Sequence, residues 1–398
     1  MSSIKKYRTK KPIIMVFTGY YTPGYKAGGI LRNVINTIDN LFEEFEFLVV
    51  TRDRDLGDDK PYDGVVTNHW VKVGNASVIY LSPEAGSLSN INKLIKKTPH
   101  DILFLTSYFE LLTIMVLFNR WRNCSGSCPI VVAPFGEFAW ASLGQKYIKK
   151  FLFIKISHLL GLYKGVTWRV SSQYEANDLI KVIGVDKEVI HIAGDLPIKN
   201  FNDDAFIANS KISWNTEGLK VVFLSRISRE KNLDYALRIL SQVRSTVNFD
   251  IYGPAENAQY WKECQELIAK LPSNVIVRYL GSVSPQQVLD IIAQYDVLFL
   301  PTGGEAYGNV IAESLSVGTP VLISTHTPWR NLQDDGMGWD IDLRERLTFI
   351  DTIENYASLP SDHKAVKRAT VKASAERRLL DPQIFETNRQ LFLKLIEY

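Results

Sequence analysis

The stretch DVLFLPTGGEAYGNVIAESLSVGTPVLIS, residues 296–324, decides how the chain is folded. DVLFLPT reads as a short buried strand, the middle as a helix, and TPVLIS as a second strand. A strand, a helix and a strand in so short a span make one βαβ unit of a parallel sheet. Two carboxylates interrupt that unit, Glu305 before the helix and Glu313 inside it, among glycines and small residues where a core wants Leu or Val. If the helix starts near Tyr307, its first free amides belong to residues 307–310, and with the helix dipole they favour an anion. Gly303, Gly304 and Gly308 keep side chains out of such a close approach. From Glu305 to Glu313 the helical rise amounts to on the order of 12 Å, so the two acids bracket a ligand instead of sharing one atom. A carboxylate accepts two hydroxyl hydrogen bonds at once, which suits a vicinal diol. A sugar nucleotide, with hydroxyls at both ends and phosphates between, has this layout. Taken singly, Glu305 reads better as a solvated loop acid and Glu313 as the partner of a surface lysine; glycines and helix start together favour the ligand.

The same grammar extends outward. Ahead of this unit run LKVVFLS (219–225), VNFDIYG (247–253) and VIVRYLG (275–281), with REKNLDYALRILSQV, WKECQELIAKL and PQQVLDIIAQY as helices between and after them. The first half repeats it with PIIMVFT (12–18), FEFLVVT (45–51), ASVIYL (76–81), DILFLTS (101–107), IVVAPFG (130–136), VTWRVSS (166–172) and EVIHIAG (188–194). Between the halves lies LPIKNFNDDAFIANSKISWNTEG, a polar connector. Alternating strands and helices predict two doubly wound parallel sheets, one per half. Ligands of such sheets bind beyond the carboxyl ends of the strands, and the expected place is the cleft between the domains.

Composition agrees with a globular protein. The 398 residues are 46% hydrophobic and 22% charged, a length for two ordinary domains. A net charge of +3 gives no global case for nucleic acid. Three cysteines make no disulfide framework, and Cys124 and Cys128 have no histidines beside them for a zinc site. The basic start, MSSIKKYRTKKP, runs into an apolar stretch too short for a signal sequence, and no segment has the length of a membrane span; the expected location is cytoplasmic. RDRDLGDD (52–59) carries Asp53-x-Asp55, a pattern that in a single mixed sheet would hold a metal. The two-sheet layout does not supply that setting, and the expectation is no metal and no cofactor.

E-A-Y-G-N-V-I-A-E followed by S-V-G-T-P-V resembles the E-x7-E motif of the retaining GT-B glycosyltransferases of family 4. The resemblance implies two Rossmann-like domains facing an interdomain cleft: 1–200 for the acceptor, 215–379 for the nucleotide sugar, and a terminal helix, 380–398, crossing back to the first. It implies that Glu313 holds the ribose hydroxyls, that Glu305 contacts the donor sugar, and that the backbone of Tyr307, Gly308, Asn309 and Val310 touches phosphates and sugar. FLSRISREK matches the family's R-x4-K with Arg226 and Lys231, two cations that neutralise a diphosphate and the leaving nucleotide. Arg229 and Glu230, between them, read as solvent-facing residues capping the helix. IYGPAE places Gly253 at a wall of the nucleotide site, and YLGSVS resembles the loop meeting the base near Val283. Backbone contact there leaves UDP-sugar and GDP-sugar both open.

In the first half, Gly28-Gly29 fits the family's glycine pair at a helix start, which implies that it admits the donor phosphates or the acceptor near the helix N-terminus. VVAPFGEFAW resembles a bacterial P-R-G-E-F segment, with Phe135 in place of the Arg. Glu137 keeps the acid, to orient an acceptor hydroxyl or to cap the next helix. Ser172 and Glu175 resemble a cleft-lining S-x-x-E, and a capping box explains them as well. QKYIKKFLFIKISHLLGLYK (145–164) interleaves lysines with apolar residues, as a helix lying on an anionic membrane does, or as an ordinary helix with its lysines in water. The implied activity is metal-independent, retaining transfer of a hexose or N-acetylhexosamine to a glycan or lipid-linked acceptor in surface-polysaccharide synthesis such as O-antigen or capsule. A nucleotide-sugar epimerase of the same fold and a catalytically silent glycan- or nucleotide-binding subunit are the rivals.

Overall fold

The computed structural model describes residues 10–26, 28–123, 128–144, 147–199 and 217–396. Cys124, Lys146 and most of the connector at 196–218 lie outside the described residues. The chain divides into two compact units, one of Met1–Phe138, Leu143–Lys199 and Pro382–Tyr398, the other of Ala139–Ser142 and Asn200–Asp381.

The first unit is built on an eight-stranded sheet of β1 (Ile13–Phe17), β2 (Glu46–Arg52), β3 (Trp70–Val73), β4 (Ala76–Leu81), β5 (Ile102–Thr106), β6 (Ile130–Ala133), β7 (Thr167–Val170) and β8 (Ile190–Ile192). Their order is β3-β4-β2-β1-β5-β6-β7-β8, parallel throughout except β3, which pairs antiparallel with β4 at the edge. The period-2 pattern of Trp70–Val73 was too short and too polar to stand out among the apolar runs. β8 is shorter than EVIHIAG suggests because Lys187–Val189 form a 3-10 turn. The central strands are apolar on both faces, as a sheet covered by helices on both sides requires: Ile14, Met15, Val16 and Phe17 are all fully buried. The terminal helix, Pro382–Ile396, packs into this unit. Its Phe392 ring lies edge-on 5.7 Å from Phe45 and 5.5 Å from Phe104.

The second unit has β9 (Leu219–Leu224), β10 (Val247–Tyr252), β11 (Val275–Gly281), β12 (Val297–Leu300), β13 (Val321–Ser324) and β14 (Gly338–Ile341). All are parallel, in the order β11-β10-β9-β12-β13-β14. The direction of winding reverses between β1 and β5 in the first sheet and between β9 and β12 in the second. In open parallel sheets the crevice at such a reversal is where ligands sit. Arg226 follows β9 and Glu305 follows β12, so the residues read from the sequence flank the second reversal. Asp53 and Asp55 serve local structure: Asp55 Oδ2 accepts the N–H groups of Tyr25 (2.8 Å) and Lys26 (3.1 Å), and Asp53 pairs with Arg54 at 2.8 Å.

Candidate active site

The loops after β9 and β12 are stitched to each other. The Gly303 N–H donates to Glu230 O at 2.6 Å, Thr302 Oγ1 donates to the same oxygen at 3.2 Å, and Asn232 Nδ2 donates to Pro301 O at 2.9 Å. Asn232 adopts the left-handed conformation (φ 54°), which Asn tolerates, and it ends the 3-10 turn Arg229–Lys231 so that the helix Leu233–Leu240 can start in a new direction. The sequence reads there as one continuous helix; the structure breaks it at Asn232. That break presents Lys231 inward. Lys231 is buried, and its ammonium meets Glu305 Oε1 at 2.8 Å and Glu230 Oε1 at 3.8 Å. Glu230 is therefore nearly buried beside Lys231, not solvent-facing as the sequence suggested. Arg229 does face outward, paired with Glu263 at 2.7 Å.

Arg226 carries its guanidinium at the β10 side of the site. Its Nη1 meets Glu256 at 3.2 Å (Oε2) and 3.5 Å (Oε1), so one nitrogen takes both carboxylate oxygens. Gly253, at the end of β10, has φ 133°, and a Cβ there would stand 1.9 Å from Ser225 O. Only glycine lets the two strand ends pass this close. Between Arg226 and Lys231, the hydroxyl of Ser228 is buried and has no hydrogen-bond partner among the described residues. Val283, past the end of β11, packs partly buried against the core.

The helix expected from Tyr307 starts two residues later, as Asn309–Ser316, with Gly308 (φ 82°) as its N-cap. The positive φ at Gly308 turns the chain into the helix, and Ile311 and Ala312 N–H both turn back onto Gly308 O. The positive end of the dipole thus lies at Gly308, Asn309 and Val310, while Tyr307 sits outside with its ring 5.5 Å from Trp329 and its carbonyl accepting the Trp329 indole N–H. Glu313 is buried within the helix, and the Glu305 N–H donates to His326 O at 3.0 Å.

A second polar cluster lies at the strand ends of the first unit. Gly28 (φ 65°) caps the helix Gly29–Leu41, and a Cβ at Gly28 would meet nothing, so the requirement there is conformational. Glu137, after β6, accepts from Ser107 Oγ at 2.5 Å and from the Tyr108 N–H, both of the β5 loop. Removal from water pushes its carboxyl up to about 7. Ser172 caps the helix Gln173–Ile183 by accepting the Glu175 N–H at 3.3 Å. Glu175 is buried, its carboxylate holding the Gly136 N–H (2.5 Å), the Ser171 N–H (2.7 Å) and Ser171 Oγ (2.8 Å), and burial raises its pKa. Phe135, at φ 46°, offers its ring to the Arg169 guanidinium at 5.3 Å. Arg169 is itself buried and paired with Asp195 at 2.5 Å, so an arginine at 135 would set two guanidinium groups against each other. Sequence reasoning missed Arg52 and Glu110, an ion pair beside the β1–β5 reversal, with Arg52 Nη1 also donating to the Tyr20 hydroxyl at 3.2 Å. Their one signal is position at the ends of apolar strands.

Cys128 and Cys264 are free thiols whose pKa burial pushes up to about 11, which leaves them protonated at neutral pH. Among the described residues, no group of three or more His, Cys, Asp or Glu side chains could hold a metal ion, and no helix is long and apolar enough to cross a membrane.

Comparison with known proteins agrees with this layout. Residues 218–356 match the family described as Glycosyl transferases group 1. A D-inositol 3-phosphate glycosyltransferase of Streptomyces scabiei is 26% identical over 163 residues, 38% of this chain and 36% of that protein. An uncharacterized 41.2 kDa protein in the cps region of Klebsiella pneumoniae is 22% identical over 251 residues, 62% of this chain and 66% of its own length. The match to these curated relatives thus spans from about a third to just under two thirds of their length. Among solved structures, Anabaena Alr3699/HepE in complex with UDP and glucose superimposes with a TM-score of 0.70 at 16% identity, covering 97% of this chain and all of that one. The chain has the GT-B fold, and the stretch similar to group 1 glycosyl transferases falls within its second unit.

Proposed function

We propose that the protein is a retaining glycosyltransferase that moves a hexose or N-acetylhexosamine from a nucleotide-diphosphate sugar to a glycan or lipid-linked acceptor. The observation that carries this reading is the Lys231–Glu305 contact at 2.8 Å, with Arg226 on the same loop after β9, at the winding reversal of the second sheet. Cations and a carboxylate in contact are what a bond between a sugar and a diphosphate needs on its two sides. Arg226 and Lys231 would take the phosphate oxygens, the amides at Gly308–Val310 would face the same charge, and Glu313 would hold the ribose diol. An unpartnered buried hydroxyl costs about 1–3 kcal/mol, and a phosphate oxygen accepting from Ser228 would relieve it. Glu305 would face the sugar hydroxyls, and Gly253 and Val283 would border the nucleoside.

In the reaction, the bond from the anomeric carbon to the diphosphate oxygen breaks while the acceptor oxygen bonds to that carbon on the same face. The acceptor proton passes to the leaving phosphate oxygen, and the nucleoside diphosphate leaves. Arg226 and Lys231 stabilise the charge that develops on it, so no metal is required. Gly28 and Gly29 would admit the donor phosphates or the acceptor at their helix start, Ser172 and Glu175 would line the acceptor side, and Glu137 would orient the acceptor hydroxyl. The UDP and glucose in the Anabaena complex support a nucleotide-sugar donor; the role would be in surface-polysaccharide synthesis, carried out in the cytoplasm at the inner face of a membrane.

A thermal-shift panel of UDP, GDP and their common sugars tests the donor site, with Glu313→Ala and Arg226→Ala beside the wild type. Stabilisation by one nucleotide, lost in both variants, is expected. No shift with any nucleotide would remove the donor reading and favour a silent subunit; turnover of the donor sugar without acceptor would favour the epimerase. Transfer should persist in EDTA, and NMR of the product should show the donor's anomeric configuration kept.

A further inference from the structure

The helix Tyr147–Leu159 turns the wrong side to water for an ordinary domain helix. Its inward side is fixed by Ile154, which is buried, and by Ser157, whose hydroxyl is hydrogen-bonded to the buried Tyr108 hydroxyl at 2.6 Å. Phe153 adds a ring contact to Tyr108 at 5.6 Å. With that rotation fixed, the stripe at i, i+3, i+4, i+8 and i+11 faces out, and it is Ile148, Phe151, Leu152, Ile156 and Leu159. These side chains are 80%, 47%, 57%, 46% and 86% exposed. Lone exposed apolar residues are common on protein surfaces, but five on three turns of one helix form a contiguous patch, and such patches mark contact sites.

The charge around the patch selects the partner. Lys149, Lys155 and Lys164 are exposed, and Lys155 folds its ammonium over the Phe151 ring at 5.4 Å. No Asp or Glu occurs between Glu137 and Glu175. A second copy of the chain would bring the same positive charge to the contact and be repelled. An anionic bilayer supplies both halves of what the helix lacks: a hydrocarbon boundary for the five apolar side chains and headgroup phosphates for lysines that reach past it.

We propose that the outward face of Tyr147–Leu159 docks the protein on an anionic lipid bilayer, with Ile148, Phe151, Leu152, Ile156 and Leu159 entering the headgroup boundary and Lys149 and Lys155 at the phosphates. This gives the membrane surface of the proposed function its residues, and rests on that reading only for the presence of a lipid-linked acceptor.

The test is flotation of the full chain with vesicles of phosphatidylcholine alone and of phosphatidylcholine mixed with phosphatidylglycerol. The expected result is capture by the mixed vesicles only, weakened by high salt. Ile148→Ser/Leu152→Ser/Leu159→Ser should abolish capture with thermal stability unchanged or improved, because exposed apolar groups contribute little to folding. Lys149→Glu/Lys155→Glu should weaken it on the order of tenfold or more. Failure of the wild type to float, or equal flotation of the serine variant, overturns the proposal. So does a chain that is dimeric by light scattering and becomes monomeric on the serine substitutions, since the patch would then be covered by a second copy. Nucleotide-induced thermal shift in the same samples reports on the donor site separately, so either reading can fail without the other.

Discussion

The two sheets of this protein carry polar clusters at the same place, the carboxyl ends of the strands beside the winding reversal, yet they are assembled differently. In the second sheet the cluster comes from two loops, with Arg226 and Lys231 on one and Glu305 on the other, and Glu313 in the helix that follows. In the first sheet it is gathered from four strand ends: Tyr20 after β1, Arg52 at β2, Ser107 and Glu110 after β5, and Glu137 after β6. The chemistry differs as well. The second cluster presents cations and a helix N-terminus, suited to a diphosphate. The first sets carboxylates and hydroxyls around the cation of Arg52, which Glu110 already pairs, and is suited to polyols. A site made of short continuous segments serves a ligand part that stays the same, whereas one made of separate strand ends can be altered at each loop without disturbing the others.

The sharpest way to break this comparison is Lys231→Ala. The substitution removes a cation proposed to meet the diphosphate and takes from Glu305 and Glu230 the ammonium they share. Transfer should fall by about 10²–10³-fold in kcat/KM, read with saturating and limiting donor. If the loss is under tenfold, the second cluster is not the reacting centre. Next comes Gly253→Ala, which acts through the fold. Its Cβ would meet Ser225 O and force the ends of β9 and β10 apart. Chemical denaturation should show a loss of more than about 3 kcal/mol. Gly308→Ala is the milder counterpart. Its Cβ would meet the far end of the Ile311 side chain at 2.8 Å, which can move, so the strain at φ 82° dominates and the loss should be about 1–2 kcal/mol.

How far the sequence disclosed each region follows from the same difference. Strands were legible because parallel sheets need long apolar runs, and the runs around 12–18, 219–225 and 296–302 carry little else. The spacings of Arg226 with Lys231 and of Glu305 with Glu313 were legible because each lies within a few turns of chain. The inward turn of Glu230 was not, because it depends on Asn232 taking a left-handed conformation, which a helical pattern conceals. Arg52 and Glu110 were invisible because nothing in sequence says that β2, β1 and β5 are neighbours in that order. Helix Tyr147–Leu159 was ambiguous for a related reason. Apolar residues occur on both of its sides, and only its contacts to Tyr108 decide which side faces inward.

The smallest expected effect sharpens the first cluster. Glu137 has a carboxyl pKa of about 7 in the folded chain against an ordinary value of 4.5, because burial disfavours its charged form. Between those two values the folded state holds a proton that the unfolded state has lost. Stability from this group is therefore complete below about pH 4.5 and declines as pH rises towards about 7, above which both states are ionised and the decline stops. Glu137→Gln cannot ionise, and its amide can still accept the Tyr108 N–H while donating to Ser107 Oγ. The melting temperature of the glutamine variant should gain on that of the wild type by a few degrees across this interval and hold a constant offset beyond it. Nucleotide-induced shifts should be the same in both proteins, since Glu137 belongs to the other sheet's cluster. If the two melting curves instead stay parallel from pH 4.5 to pH 7, the carboxylate is well solvated, and burial does not hold a proton on Glu137 in the first cluster.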